Sequence, residues 1–179
     1  MPISTSGFEK RFLADQARSI GARRMLEIGA FKGKTTAVLS QIADETDGLV
    51  VAIDPMRWAS HPANFVEWID TVLHPFSYEK AFWRTLARRG VPARVQLERH
   101  LSTDADLIAS QAPHLQAFDF VFIDGEHLFE SVRLDFQNWG MRVGVGGKVL
   151  LHDCVRRFEG VIRAVDSIAL EHGNVRLTW

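Results

Sequence analysis

Two apolar runs of this 179-residue chain each lead into an aspartate. Asp124 follows the run 118–123, and Asp153 follows the run 148–151 and His152. If the two runs are neighbouring strands about 4.8 Å apart, these carboxylates face each other across a short gap. Carboxylates that close repel unless a cation neutralises them, and oxygen ligands of this kind suit Mg²⁺. The pattern predicts a divalent-metal site; the alternative is that Asp153 only caps the following helix.

A glycine-containing turn follows another apolar run, 25–28. Gly29 lets the chain turn tightly, and Gly33 lets a helix begin close to the strand. The N–H groups at that helix start, with Thr35, favour a carboxylate or a phosphate. The spacing of the glycines fits neither the dinucleotide fingerprint nor the nucleotide P-loop. Glu27 lies inside the apolar run and needs a partner if it is buried. The turn is interpreted as a ligand site, with a purely structural turn as the alternative.

Asp54 ends the next apolar run, 49–53. It lies 21 positions after Gly33, close to the separation at which an acid accepts the ribose hydroxyls of an adenosine. This spacing predicts a nucleoside ligand. The alternative is a turn aspartate before Pro55.

The order of elements predicts how these residues come together. Apolar runs at 25–28, 49–53, 93–97, 118–123 and 148–151 are continuous, as in strands buried on both faces. Segments with helical spacing at 35–43 and from 157 onward separate or follow them. Such alternation predicts an α/β fold, a parallel sheet with helices on both faces. A further helix is expected within residues 1–20.

Two segments depart from the short connections of such a fold. Residues 54–92 are rich in Trp, Phe and His, and we expect two helices there, at 63–72 and at 77–89, the second ending at Gly90. The helical insert 55–92 is interpreted either as an extra helical layer or as a lid over a substrate. After the last helix, residues 174–179 leave room for a single strand.

Composition excludes several classes of protein. The chain has 21 Lys+Arg and 22 Asp+Glu and no basic stripe, so a nucleic-acid partner is not expected. No apolar stretch reaches the ~20 residues of a membrane span, and no secretory leader pattern begins the chain. The single cysteine, Cys154, cannot form an internal disulfide, which favours a reducing compartment. We therefore expect a single cytoplasmic domain over residues 1–179.

Taken together, these motifs resemble a known family. Residues 118–154 resemble the small class I S-adenosylmethionine-dependent methyltransferases, whose signature runs D-x-x-x-[IL]-D-G-x-H, a helix with a Trp, then G-G-x-x-x-x-H-D. The corresponding residues are Asp119, Asp124, Gly125, His127, Trp139, Gly146, Gly147, His152 and Asp153. The glycine turn is similar to that of catechol and caffeoyl-CoA type O-methyltransferases. The resemblance covers roughly residues 20–170 and implies a Rossmann-like fold.

The resemblance also implies roles for individual residues. The methionine part of S-adenosylmethionine would be held by Glu27, Gly29, Phe31, Gly33 and Thr35. Asp54 would bind its ribose, Ser102 would approach its adenine, and Asp124 would lie beside the cofactor. Asp124 and Asp153 would ligate Mg²⁺ or another divalent cation. His127 replaces the catalytic lysine of catechol-type enzymes and would take the acceptor's proton; its alternative is a solvent-facing histidine.

Two departures from the family pattern keep other interpretations open. Cys154 stands where catechol-type relatives have an Asn ligand, so a water or His152 completes the metal site, or no metal binds. Relatives end in a strand hairpin that is shortened here, which leaves an open sheet edge or one covered by a second copy. The expected reaction is methyl transfer to an oxygen of a small molecule. The alternatives are a metal-independent methyltransferase and an inactive cofactor-binding module; a nicotinamide dehydrogenase is disfavoured by the glycine spacing.

Overall fold

The computed structural model describes residues 6–56, 77–104, 106, 108 and 118–173. Over these residues the chain forms five helices and five strands, with short 3₁₀ turns at Pro92–Arg94 and Gly140–Arg142. The strands are β1 (Arg24–Ile28), β2 (Leu49–Ile53), β3 (Val95–Glu98), β4 (Phe118–Ile123) and β5 (Val143–Leu151). The helices are α1 (Gly7–Arg18), α2 (Lys34–Thr46), α3 (Ser77–Arg89), α4 (Phe129–Asn138) and α5 (Glu159–His172).

The strands form one parallel sheet in the order β3-β2-β1-β4-β5. Side chains alternate between its faces, so neighbouring residues of β1 belong to different parts of the core. Met25 packs with residues of α1 and α2 on one face. Leu26 and Ile28 pack on the other face with Trp139, which is fully buried after α4. The predicted Rossmann-like fold, a parallel sheet with helices on both faces, is confirmed.

The helices begin and end where their sequences indicate. Ser6 caps α1 through the backbone N–H of Glu9, and the Glu9 side chain accepts from the backbone of Ser6 in return, which is a capping box. Gly33 begins α2 with a left-handed φ of 72°. Gly90, with φ of 75°, follows α3, so the predicted helix 77–89 and its glycine stop are confirmed.

Two strand predictions were wrong at their boundaries. The third strand begins at Val95, not at residue 93, because Pro92 starts a 3₁₀ turn that includes Arg94. The fifth strand begins at Val143, not at residue 148. Its glycines are tolerated because the β4–β5 register shifts between Phe118 and Phe120, and Gly146 takes a φ of 85° at this irregularity.

Some predictions fall on residues outside the described ranges. The predicted helix 63–72 and the predicted last strand, 174–179, lie there. Of the helical insert 55–92, residues 55–56 and 77–92 are described. Within the described ranges, no helix is long and apolar enough to cross a membrane.

Candidate functional site

Acidic residues of four strands meet at one edge of the sheet. Because all the strands are parallel, their carboxyl ends lie on the same side. Glu27 is the next-to-last residue of β1, and Asp54 directly follows β2. Asp124 directly follows β4, and Asp153 follows β5 after His152. The expectation that these carboxylates share one rim of the sheet is confirmed.

Glu27 is buried without a positive partner. Its side chain is 1% exposed, and its Oε2 atom has no hydrogen-bond partner among the described residues. Burial raises the pKa of Glu27 to about 8; the nearby Thr36 hydroxyl opposes this shift, and the charges of Asp124 and Asp54 add to it. A buried carboxyl in this state is ready to receive a cationic group from a ligand.

The glycine turn after β1 is tied to the neighbouring strands. The Gly29 N–H donates to the Ile53 carbonyl at 3.0 Å. A Cβ atom on Gly29 would lie 2.0 Å from the carbonyl oxygen of Asp124, so no other residue fits between the two turns. Phe31 takes a left-handed φ of 45°. Gly33 and the buried Thr35 follow at the start of α2, so the predicted turn residues lie together.

Asp54 holds this turn through its carboxylate. One oxygen accepts the Phe31 N–H at 2.7 Å and the other accepts the Met56 N–H at 2.6 Å. Burial raises the pKa of Asp54, and these two hydrogen bonds oppose the shift. Asp54 therefore acts as the turn aspartate that was the alternative interpretation, while both oxygens keep a lone pair that a ribose hydroxyl can use.

Ser102 follows β3 and contacts Trp139 and Asp135, the second of which lies against Gly125 in the turn after β4. Its carbonyl accepts the Trp139 Nε1–H at 2.7 Å. Burial raises the pKa of Asp135 to about 6, and a hydrogen bond with the Ser102 side chain opposes the shift. Asp135 also lies under Gly125, where a Cβ atom would be 3.1 Å from its Oδ2 atom. Ser102 therefore already has one partner on α4, Asp135, and another directly after it, Trp139.

Asp124, His152 and Asp153 form a compact cluster between β4 and β5. One potential ligand atom from each residue lies within 4.8 Å of the others. His152 Nδ1 is 3.0 Å from Asp124 Oδ1 and 3.3 Å from Asp153 Oδ1. The predicted proximity of Asp124 and Asp153 is confirmed, and His152 lies between them.

The charges of this cluster shift its protonation. Burial raises the pKa of Asp124, and the hydrogen bond with His152 opposes that shift. Burial alone would lower the pKa of His152, but its hydrogen bond with Asp124 and the charges of Asp124, Asp153 and Glu9 raise it to about 9. In contrast to Glu27, these carboxylates already have a basic neighbour.

His127 lies beside the cluster and is held on two sides. Its Nε2 atom is 2.7 Å from Asp153 Oδ2. Its ring stacks on Phe158, with ring centroids 4.1 Å apart and planes at 15°. The side chain is 38% exposed, so a small molecule can reach it from the solvent. His127 is therefore partly solvent-facing, as in the alternative interpretation, and a carboxylate and an aromatic ring orient it.

Sequence reasoning missed Glu9 and Phe158. Glu9 Oε1 on α1 lies 3.5 Å from His152 Nε2. The capping-box pattern Ser6-x-x-Glu9 marks a helix start but not which distant residue that start approaches. Phe158 falls at the start of the segment from 157 onward that was predicted as a helix; it packs with apolar residues of that helix and also touches His127. Asp119, part of the family signature, lies away from the site: its Oδ2 accepts the N–H groups of Arg23 and Arg24 at 2.8 and 2.9 Å, at the amino end of β1.

Comparison with known proteins gives concordant results. The family model described as methyltransferase domain matches residues 26–154. Tricin synthase 1 of Oryza sativa subsp. japonica is 28% identical over an alignment of 184 residues that covers 92% of this chain. The chain spans 65% of the length of that relative, just under two thirds.

Solved structures share the fold. The O-methyltransferase from Bacillus cereus in complex with SAH has a TM-score of 0.70 at 20% identity, over 96% of this chain and 73% of its own. The O-methyltransferase TomG from Streptomyces achromogenes, in complex with SAM, has a TM-score of 0.68 at 22% identity, over 98% and 73%. At 20% and 22% identity, the similarity to these structures shows a shared fold and nothing further.

Proposed function

The chain belongs to the methyltransferase domain family, whose model covers residues 26–154, and from that premise we propose that it transfers the methyl group of S-adenosylmethionine to an oxygen atom of a small molecule. The observation that carries this proposal is the shared rim at the carboxyl ends of adjacent parallel strands. There, buried Glu27 has one oxygen without a hydrogen-bond partner among the described residues, and His127 is oriented by Asp153. Ligands of open parallel sheets bind at this edge.

We propose that the glycine turn holds the cofactor. The ammonium group of its methionine part would supply the positive charge that buried Glu27 lacks. Gly29, Phe31, Gly33 and Thr35 shape the turn around it, and Asp54 would accept the ribose hydroxyls. Ser102 would approach the adenine and Asp124 would face the sulfonium end. The SAH and SAM found in the Bacillus and Streptomyces structures support this choice of cofactor.

We propose that His127 is the base. In the reaction the acceptor oxygen bonds to the methyl carbon as the bond from that carbon to sulfur breaks, so the sulfonium becomes a thioether and the acceptor loses its proton. Asp153 and Phe158 fix the His127 ring so that it can receive that proton. Holding the reacting atoms near attack distance supplies most of the rate gain.

The cluster of Asp124, His152 and Asp153 fits a divalent cation. Its potential ligand atoms converge within 4.8 Å, and its carboxylates are largely buried. A cation held there would lower the pKa of the acceptor hydroxyl. The metal-independent alternative rests on the contacts of His152, whose imidazole already faces both carboxylates. Calorimetric titration of S-adenosylmethionine with and without divalent ions separates the two mechanisms.

We propose that acceptor specificity comes from the part of the insert that includes α3. Tyr78 at the start of α3 contacts Phe31 of the glycine turn, with ring centroids 5.2 Å apart. The Lys32 ammonium lies 4.9 Å from the Phe31 centroid and 5.4 Å from that of Tyr78. This aromatic wall beside the cofactor turn supports a ring-containing acceptor.

We also propose a reducing, cytoplasmic setting and a homo-oligomer. The half-buried thiol of Cys154 has no cysteine to pair with, which favours a reducing compartment. Among the described strands, β5 pairs on one side, with β4, and Val145 on it is fully exposed. An open strand of this kind favours pairing with a second copy. Light scattering coupled to size exclusion tests the assembly.

The direct test of function is product analysis. The protein is incubated with S-adenosylmethionine carrying a deuterated methyl group and a panel of phenols, catechols and sugars, and mass spectrometry detects labelled methyl ethers. We expect labelled product with the wild-type protein. With His127→Asn, we expect product formation to fall by about 100-fold or more while cofactor affinity is unchanged. If S-adenosylmethionine fails to bind at millimolar concentration, the proposal is wrong.

A further inference from the structure

His152 lies at the centre of the carboxylate cluster and is well buried. Its side chain is 9% exposed. The ring packs edge-on against Phe122, with centroids 5.8 Å apart. Its Nδ1 atom faces one oxygen of Asp124 and one oxygen of Asp153, at 3.0 and 3.3 Å. The ring therefore projects a nitrogen toward the point where the two carboxylates converge.

The second nitrogen of this ring points away from the cluster. His152 Nε2 is buried and has no hydrogen-bond partner among the described residues. Its nearest acidic group is Glu9 on α1, with Oε1 at 3.5 Å, which is a charge contact rather than a well-formed hydrogen bond. The other oxygen of Glu9 accepts the Ser6 N–H in the capping box. The N-terminal helix thus presents one carboxylate oxygen to the back of the imidazole.

We propose that His152 ligates a metal through Nδ1 together with Asp124 and Asp153, that Glu9 orients it from α1, and that this mixed set selects a first-row transition-metal ion such as Zn²⁺, Co²⁺ or Fe²⁺ over Mg²⁺. The assignment rests on the proposed function, because it places the ion at the acceptor end of that site. Imidazole suits these borderline ions, whereas Mg²⁺ prefers oxygen ligands alone.

The two carboxylate oxygens of Asp153 contact different histidines, one in the proposed ligand set and one proposed as the base. Oδ1 faces His152 and the cluster, while Oδ2 contacts His127 at 2.7 Å. One carboxylate can therefore bind an ion and hold the base at the same time. His127 stays outside the ligand set and remains available for the acceptor's proton.

Glu9 acts as a positioning residue in this arrangement. Metal-ligating histidines commonly donate their other ring N–H to a carboxylate, which fixes the tautomer and makes the ligand more basic. With Nδ1 turned toward Asp124 and Asp153, the Nε2–H of His152 would point to Glu9. The capping box holds Glu9 in place, so the start of α1 supports the metal site from 143 positions away in the sequence.

The test uses Co²⁺ as the probe, because its visible absorption reports its ligands. The full-length protein is titrated with Co²⁺ and then with Mg²⁺ as competitor. We expect a visible band, and Mg²⁺ to displace Co²⁺ only at about 100-fold or greater excess. His152→Asn should lose most of this preference, and His152→Asp, with three carboxylates, should shift it toward Mg²⁺. His100→Asn, at an exposed histidine, is the control and should match the wild-type protein.

A second variant tests Glu9. Glu9→Gln keeps a side chain that can complete the capping box but removes the charge that faces His152. We expect Co²⁺ affinity to fall by about 10-fold and the visible band to shift. Ser6→Ala weakens the cap of the same helix and leaves Glu9 in place, so its Co²⁺ spectrum should not change.

The outcomes separate this inference from the proposed function. S-adenosylmethionine binding is measured by calorimetry in the same samples. If the cofactor binds but Co²⁺ does not, or if His152→Asn binds Co²⁺ as the wild type does, the metal assignment is wrong and the proposed function stands. Equal affinities for Co²⁺ and Mg²⁺ would also overturn it. If the cofactor itself does not bind, the proposed function fails, whatever the metal titration gives.

Discussion

Two regions at the carboxyl edge of the sheet contain acidic residues, but the neighbours of those acidic side chains differ. The glycine-turn region, which comprises Glu27, Gly29, Phe31 and Asp54, buries a glutamate that faces no cationic side chain in the part of the chain that the structure describes. The imidazole–carboxylate region, which comprises Asp124, His127, His152 and Asp153, surrounds its aspartates with two imidazoles. Both regions end adjacent strands of one parallel sheet, so the strand ends alone do not distinguish them.

The comparison indicates how one parallel sheet can place acidic residues in two different environments. In the glycine-turn region the buried carboxyl keeps its proton until a cationic ligand arrives, since burial raises the pKa of Glu27 to about 8. In the imidazole–carboxylate region the acids contact histidines, which suits proton transfer and metal binding. Under the proposed function, the glycine-turn region receives the positive charge of the cofactor, and the imidazole–carboxylate region takes up a proton and binds a metal ion.

The glycine-turn region contacts the imidazole–carboxylate region at Gly29. Adding a side chain at that contact should give the largest loss of stability in the series. In Gly29→Ala the new Cβ atom would meet the Asp124 carbonyl oxygen at 2.0 Å, at a φ of 88°. Overpacking and a left-handed φ together should destabilise the fold by at least about 3 kcal/mol. Urea unfolding measures this. In Gly21→Ala, at a φ of 60° with nothing within 4 Å, we expect about 1 kcal/mol; equal losses in the two variants would contradict the close contact.

The buried proton of Glu27 can be tested through pH. The folded state holds this proton up to about pH 8, whereas the unfolded chain releases it near 4.5. Its stabilising contribution is therefore complete below pH 4.5 and is lost as the pH rises toward 8, with a loss of about 3 to 4 kcal/mol between pH 5 and pH 8. Glu27→Gln should flatten the fall in the free energy of unfolding between pH 5 and pH 8.

The matched control for this change is Glu159→Gln at an exposed position of α5. Its pH profile should follow that of the wild-type protein. A profile for Glu27→Gln that also follows the wild type would show that Glu27 is not the buried titrating group.

Asp124→Asn tests the imidazole–carboxylate region. The substitution keeps the shape of the side chain but removes the charge that faces His152. We expect at least about a 100-fold loss in Co²⁺ affinity and in methyl transfer, because a ligand and its charge are lost together. Asp166→Asn, at an exposed position of α5, should leave both measurements unchanged. Full turnover in Asp124→Asn would remove this residue from the site.

Asp54→Ala should have the smallest effect of the series. The variant loses the acceptor for the Phe31 and Met56 N–H groups, and with it the proposed ribose contact. Affinity for S-adenosylmethionine in calorimetry should fall by about 10-fold while the fold stays intact. Asp15→Ala, on the exposed side of α1, is the reference. An unaltered affinity in Asp54→Ala would leave Asp54 as a structural turn residue only.

Much of the scaffold could be predicted because its signals are local. Continuous apolar runs gave all five strands, and Gly90 gave the end of α3. The start of β5 could not be found from the apolar pattern, because Gly146 and Gly147 interrupt it and only pairing with β4 keeps them in the strand. Pro92 likewise hid a 3₁₀ turn inside an apparent strand.

The acidic residues of the candidate site could be predicted from the sequence, but the side chains that they contact could not. Asp124 and Asp153 could be placed together because parallel strands share a carboxyl edge. The same reasoning does not show that Asp119, five positions before Asp124, serves the amino end of β1 instead. It also does not show that Phe158 stacks on His127.

The sequence by itself determined the fold class and the residues that end each strand, since period, turn glycines and strand order act over short spans. Only the tertiary structure decided which acid has no basic neighbour among the described residues and which imidazole faces which carboxylate. Glu27 is isolated by burial among distant strands, and His152 meets Glu9 of the first helix. Such contacts join residues far apart in the chain, and their strength depends on distances and burial that exist only after packing.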